Sequence, residues 1–152
     1  MLKICLCSDN HGDIDSINEI KAKNINCDYY IHCGDSALPE SELKPFISVK
    51  GNNDYEFDYP KQRILEIGGH RILVSHGQNY TFSVFGLTSL AKNNNCDVLF
   101  FGHTHQYFDD DFNSIRLINP GSTLYNRDWS NPCYAIVSID DYGKITCDRV
   151  NL

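Results

Sequence analysis

Seven residues of this chain are of types that hold divalent metals, and each lies just beyond a short apolar run. Asp9 and His11 follow LKICLC, Asp35 follows CDYYIHC, and Asn52 follows FISVK. His76 follows RILVS, and His103 and His105 follow DVLFF. Two carboxylates, one amide and four of the six histidines make an oxygen-and-imidazole set without thiolate. Such a set suits borderline divalent ions such as Mn, Fe, Ni, Co or Zn. Seven ligands are more than one four-coordinate site uses. They would fill two adjacent octahedral-type sites if one carboxylate bridged and solvent completed the shells. Two ions about 3.5–4 Å apart can hydrolyse a phosphate ester, neutralising its oxygens while a shared hydroxide attacks phosphorus in line.

Taken singly, these motifs read as turns. Asp9-x-His11 behind a strand can cap a helix. Gly34-Asp35 and the GNND of residues 51–54 have the residue types that backbone turns select, and Gly51 and Asp54 are assigned to such a turn. His103-Thr104-His105, with histidines at i and i+2 behind an apolar strand, is the least turn-like. The joint pattern decides: five turns each offer a ligand-type residue where one sheet edge would gather them. Two histidines stand outside the set. His32, inside its strand, is read as packed and hydrogen-bonded; His70, at Gly68-Gly69, as exposed.

The apolar runs have strand length and are rich in β-branched and aromatic residues. Between them, residues 13–24 carry Ile14, Ile17 and Ile20 at helical spacing, with Asp13 or Asp15 as cap. Pro39 to Leu43 reads as a short helix. Thr81 to Asn94 reads as a longer one, carrying Phe82, Phe85, Leu87 and Leu90. Alternation of strand and helix implies an α/β fold with a largely parallel sheet, whose ligands bind beyond the carboxyl ends of the strands. Gln62–Ile67 with Arg71–Ser75, and Tyr134–Ile139 with Ile145–Val150, read as hairpins. The extra antiparallel strands turn one sheet into two, a sandwich flanked by helices.

At 152 residues the expectation is one domain spanning 1–152. The formal net charge of −7 argues against a broad electrostatic grip on duplex nucleic acid or an anionic membrane. No apolar run approaches the ~20 residues of a membrane span, and MLKICLCSDNHGD lacks the features of a signal peptide, so a cytoplasmic location is expected. Seven cysteines, an odd number, then read as small buried hydrophobes rather than disulfides. Nothing in the composition excludes a homo-oligomer. Tyr55, Phe57, Tyr59, Tyr80 and Phe82 follow ligand-bearing turns, either as a wall of the site or packed under loops.

The ordered motifs D-x-H, GD, GNND, HG and GHTH resemble the calcineurin-like metallophosphoesterases, and more narrowly the small phosphodiesterases of the YfcE type. The resemblance runs from Asp9 to about Ser122. It implies a four-layer α/β/β/α sandwich of two mixed sheets and two divalent transition-metal ions, manganese among the candidates. It would assign Asp9, His11, Asp35 and His105 to one ion, and Asp35, Asn52, His76 and His103 to the other, with Asp35 bridging. Asn119-Pro120-Gly121-Ser122 resembles a loop near the same site. Asp35, Asn52, Asn53 and His76 thereby fall at the reaction centre.

The sequence also departs from that pattern. Many members place a histidine after the metal-binding asparagine, thought to protonate the leaving group; here it is Asn53, and an amide is no general acid. The arginine that often follows the GD motif is absent, and Gln78 stands where a second histidine often follows HG. The expected activity is hydrolysis of small or activated phosphate diesters. The alternatives are a scaffold on the same fold, like the retromer subunit that resembles this family, or a phosphomonoesterase.

Overall fold

The computed structural model describes residues 1–80 and 83–152. Thr81 and Phe82, expected at the start of the third helix, lie outside the described residues. The chain runs β1 (Leu2–Cys7), α1 (Ile14–Lys23), β2 (Tyr29–His32), α2 (Glu40–Leu43), β3 (Ile47–Ser48), β4 (Gln62–Ile67), β5 (His70–Ser75) and α3 (Val84–Asn93). It continues through β6 (Val98–Phe100), β7 (Tyr107–Phe112), β8 (Ile115–Pro120), β9 (Cys133–Ile139) and β10 (Ile145–Asn151).

Two mixed five-stranded sheets result, ordered β10-β9-β1-β2-β3 and β4-β5-β6-β8-β7. Within the first, β1, β2 and β3 are parallel while β9 and β10 return antiparallel. Within the second, β5, β6 and β8 are parallel, with β4 and β7 antiparallel at the edges. The inner faces meet in one core that includes Ile4, Leu6 and Ile31 from the first sheet and Ile72, Val74 and Phe100 from the second. On the outer face of the first sheet, Cys5 and Cys7 pack with Ile17 and Ile20 of α1 and Leu43 of α2. On the outer face of the second, Leu73 and Leu99 pack with Leu87 and Ala91 of α3. Period-two alternation along each central strand thus divides its side chains between inner and outer layers.

Local chemistry sets the helix ends. The Asp13 side chain accepts from the Asp15 N–H (3.2 Å), and Lys21 and Lys23 occupy the last turn of α1, which ends at Asn24. Ser83 caps α3 by accepting from the Gly86 N–H (2.9 Å). Phe85, one of the apolar residues this helix carries, is 78% exposed. It lies two residues from Leu87, about 200° around the helix, so the two cannot share a face.

Two further differences stand out. Strand β7, a segment to which the sequence reading assigns no element, carries Asp109-Asp110-Asp111 and forms an edge strand, where charge discourages pairing between molecules. Asp109 holds Arg116 of β8 through two bonds of 2.6 and 3.1 Å. His70 is half-buried rather than exposed, with Nδ1 2.6 Å from Asp97 Oδ2 and Nε2 2.5 Å from the Gly143 carbonyl. His32 is fully buried, facing the Asn10 side-chain oxygen at 2.8 Å, and burial lowers its pKa to about 4.

All seven cysteines are free. Burial pushes the thiols of Cys5, Cys7 and Cys33 up, opposite to what a thiolate ligand needs. No described helix is long and apolar enough to cross a membrane.

Candidate metal centre

The parallel strands of both sheets end at one rim, and the turns beyond them are stitched together by backbone bonds. The N–H groups of Asp9 and His11 donate to the carbonyls of Gly34 (3.1 Å) and Asp35 (3.0 Å), joining the turns after β1 and β2. Gly102 N–H donates to the His76 carbonyl (3.1 Å), joining those after β6 and β5. Ser122 Oγ donates to the Asp9 carbonyl (2.8 Å), and Asn119 Nδ2 bonds the Gly102 carbonyl (3.1 Å) and Thr104 Oγ1 (2.9 Å). The NPGS loop thus braces two turns from behind.

Two glycines let the turns close. A Cβ on Gly51 would overlap the Asp35 carboxylate and backbone nitrogen. One on Gly102 would overlap Ser8 Oγ and sit 2.6 Å from Asp9 Oδ2. The ligand-type residues themselves bend sharply: Asp9, His11, Asp35, His103 and His105 all have positive φ, between 44° and 71°. Such backbone costs of order 1 kcal/mol per residue and persists where surrounding structure holds it.

The outcome is a convergence of lone pairs. Ligand atoms of Asp9, His11 and His105 lie within 4.8 Å of one another, as do those of Asp35, His76 and His103. Asn52 joins the second group, with Oδ1 3.1 Å from His103 Nδ1. Asp35 Oδ2 faces both groups, 3.2 Å from His76 Nε2 and 3.8 Å from His11 Nε2. Asp9 Oδ1 is 3.4 Å from His105 Nε2 and 3.8 Å from His76 Nε2.

Bonds on the outer sides aim these atoms inward. His76 Nδ1 donates to the Cys33 carbonyl (2.8 Å) and His105 Nδ1 to the Tyr125 carbonyl (3.0 Å). Each bond leaves the Nε2 lone pair facing the site, as an outer partner does for a metal-binding histidine. Asp9 Oδ2 accepts from Ser8 Oγ (2.5 Å) and from the His103 N–H (3.0 Å), leaving Oδ1 free. Among the described residues, two buried side-chain polar atoms lack any partner, Asp9 Oδ1 and His76 Nε2. Buried orphans are costly and call for an explanation; here a cation between them would satisfy both, so the donor set fits divalent metal.

The electrostatics agree. Burial opposes the charge on Asp9, yet His105 and His11 hold its carboxyl far below the usual range. Burial is likewise outweighed at Asp35, which His76 and Asn53 keep low. The Asp9 carboxylate raises His11, and Asp35 and Asp9 raise His76 despite its burial. Burial and His76 together lower His103. The carboxylates thus draw positive charge to this spot.

Three roles, one of them of a residue already placed at the reaction centre, escape the sequence reading. Asp54, taken as part of a turn, is fully buried, and its carboxylate accepts from the N–H groups of Asp35 (2.8 Å), Ala37 (2.9 Å) and Gly51 (2.8 Å). Asp54→Ala leaves three donors unpaired, so stability should fall by roughly 3–5 kcal/mol. Asp54→Asn, keeping one acceptor oxygen, should cost about half that, and equal urea midpoints for the three proteins would remove Asp54 from this role. Asn53 is the second: its N–H and Nδ2 donate to Asp35 Oδ1 (2.8 Å) and Oδ2 (3.0 Å). Arg127 is the third. Its N–H donates to the His105 carbonyl (2.9 Å), and its guanidinium adds to the lowering of His103. Of the aromatics, Tyr59 is buried and Phe57 packs beside it, Tyr55 and Tyr80 are exposed, and Phe82 lies outside the described residues.

Comparison with known proteins adds an independent line. The chain is 31% identical over 145 residues to the probable metallophosphoesterase YsnB of Bacillus subtilis, covering 92% of this chain and 86% of that one. A conserved predicted phosphoesterase from Streptococcus pneumoniae has a solved structure with a TM-score of 0.90 and 28% identity, covering 99% of this chain and 89% of the other. An archaeal phosphodiesterase shares the fold at a TM-score of 0.76 and 22% identity, covering 98% and 100%. The profile of the calcineurin-like phosphoesterase superfamily domain matches residues 2–142. The chain therefore belongs to the calcineurin-like phosphoesterase superfamily, and two groups of its described residues could each hold a metal ion.

Proposed function

We propose that the protein hydrolyses phosphate diesters at a dinuclear metal centre held by Asp9, His11, Asp35 and His105 on one side and Asp35, Asn52, His76 and His103 on the other. The observation that carries this reading is the pair of buried, unpartnered atoms, Asp9 Oδ1 and His76 Nε2, at the meeting point of two ligand clusters. Bound there, two divalent cations supply charge neutralisation for the phosphate and acidify the attacking water. The chain's own part is positional. Asp35 faces both clusters, and Asn53 fixes both its oxygens. Carbonyls of Cys33 and Tyr125 keep His76 and His105 in the tautomer that presents Nε2.

Diester rather than monoester is the preference the motifs support, since no arginine follows Gly34-Asp35 to hold the second negative charge of a monoester. The archaeal phosphodiesterase of this fold agrees with that preference. Metal analysis of the purified protein should find about two divalent transition-metal ions per chain. With Mn, Fe, Ni, Co or Zn supplied in turn, aryl diesters should turn over faster than the matching monoesters. One ion per chain, or a monoester preference, would overturn the corresponding half of the reading.

A further inference from the structure

Beside the proposed metal centre lies a cleft of about 360 Å³ whose walls include Lys50, Gly51, Lys61, Gly77 and Gln78. That volume lies in the range of small-molecule sites. Its position follows from the chain. Gly51 immediately precedes Asn52, and Gly77 immediately follows His76, so two wall residues are bonded to candidate ligands. The β4–β5 register pairs Gln62 with Ser75, so Lys61 leaves the hairpin beside His76. The Lys50 N–H donates to the Pro60 carbonyl (2.7 Å), drawing the two lysine-bearing segments together.

The cleft's charge is unlike that of the rest of the molecule. The chain has 20 acidic and 13 basic residues, yet none of the described residues lining the cleft is acidic and two are lysines. Among the described residues neither ammonium enters an ion pair. Two lysines that enter no ion pair among the described residues, in a cleft whose described lining holds no carboxylate and includes the neighbours of Asn52 and His76, lack an anion.

We propose that this cleft receives a second, terminal phosphate carried on the substrate, so the preferred substrates are diesters with a phosphate monoester on one substituent. A dianion matches two ammonium groups, whereas a carboxylate would meet only one of them in charge. The proposal rests on the diesterase reading and narrows it to a substrate class. It also places the phosphate-clamping cations outside the family motifs, where the absent arginine left a gap.

Three diesters with the same aryl leaving group test it, their other substituent ending in phosphate, carboxylate or hydroxyl. The ratio of kcat/KM for phosphate over hydroxyl should be at least roughly tenfold, with carboxylate between. Lys50→Gln and Lys61→Gln should each shrink that ratio, and the double variant should bring it near one. A ratio near one in the unaltered protein, or one that survives the double variant, overturns the proposal. Inorganic phosphate titrated into the protein and followed by amide NMR gives a readout without turnover. Gly77 and Gln78 should shift saturably, and roughly tenfold more phosphate should be needed in the double variant. If none of the diesters is cleaved, the diesterase reading fails, and the titration alone decides the cleft: no saturable shift there ends the proposal.

Discussion

Asp35→Asn should abolish hydrolysis, with a loss of about 10³-fold or more, because ground lost at a metal centre amounts to several kcal/mol. Asp35 is 1% exposed and faces both ligand clusters through Oδ2, at 3.2 Å from His76 Nε2 and 3.8 Å from His11 Nε2. Both its oxygens already accept bonds from Asn53. An amide of the same shape removes a negative charge and sets an NH₂ against either the Asn53 donors or the imidazole and metal side. Neither placement is neutral: against Asn53 a donor faces a donor and both go unpaired, and on the other side the NH₂ cannot serve as a metal ligand. The fold should survive, because the Asp35 N–H keeps Asp54 and its carbonyl keeps His11. Metal content should therefore drop from about two ions per chain to one or fewer while the circular dichroism spectrum is unchanged. Full activity with two ions retained would remove Asp35 from the centre. A loss of the folded spectrum would instead assign it a structural role.

Much of this arrangement was legible because apolar runs that end in Gly, Asp, Asn and His announce both a strand and the turn beyond it. LKICLC, RILVS and DVLFF became β1, β5 and β6, and their trailing residues meet at one rim. Strand β7 was not legible: its three aspartates suit an edge, and the pairing of Asp109 with Arg116 depends on a neighbour chosen by the sheet. Asp54 was hidden for a similar reason. Its partners at Asp35 and Ala37 are remote in sequence, so locally it looks like one more turn residue. The positive φ angles of five ligand-type residues left no mark either, since that conformation is usually signalled by glycine. Here the side chain is needed, and the surrounding bonds hold the backbone instead. Arg127 could be placed only by its backbone bond to His105.

The rate should depend steeply on the leaving group, and Asn53 should be the reason without being a participant in proton transfer. A positioned general acid contributes typically 10²–10⁴-fold, and Asn53 has no acidic proton to give. Across a series of aryl diesters of graded phenol pKa, kcat/KM should fall by about that 10²–10⁴-fold between strongly activated and unactivated leaving groups. A flat series with chemistry rate-limiting would mean that another side chain delivers the proton. The geometry gives Asn53 a positioning role instead, since its N–H and Nδ2 fix the Asp35 carboxylate at 2.8 and 3.0 Å. Asn53→Ala keeps the backbone bond and loses the other, so turnover should fall by a similar factor for every leaving group, about tenfold for one charge-assisted hydrogen bond. A proton donor behaves otherwise, because its removal penalises poor leaving groups far more than good ones. Asn53→His supplies the opposite case, adding a titratable group where the amide stood. It should raise the rate for poor leaving groups relative to good ones and flatten the series below the pKa of the new imidazole. If Asn53→Ala steepens the series while Asn53→His leaves it unchanged, positioning of Asp35 is not what Asn53 does.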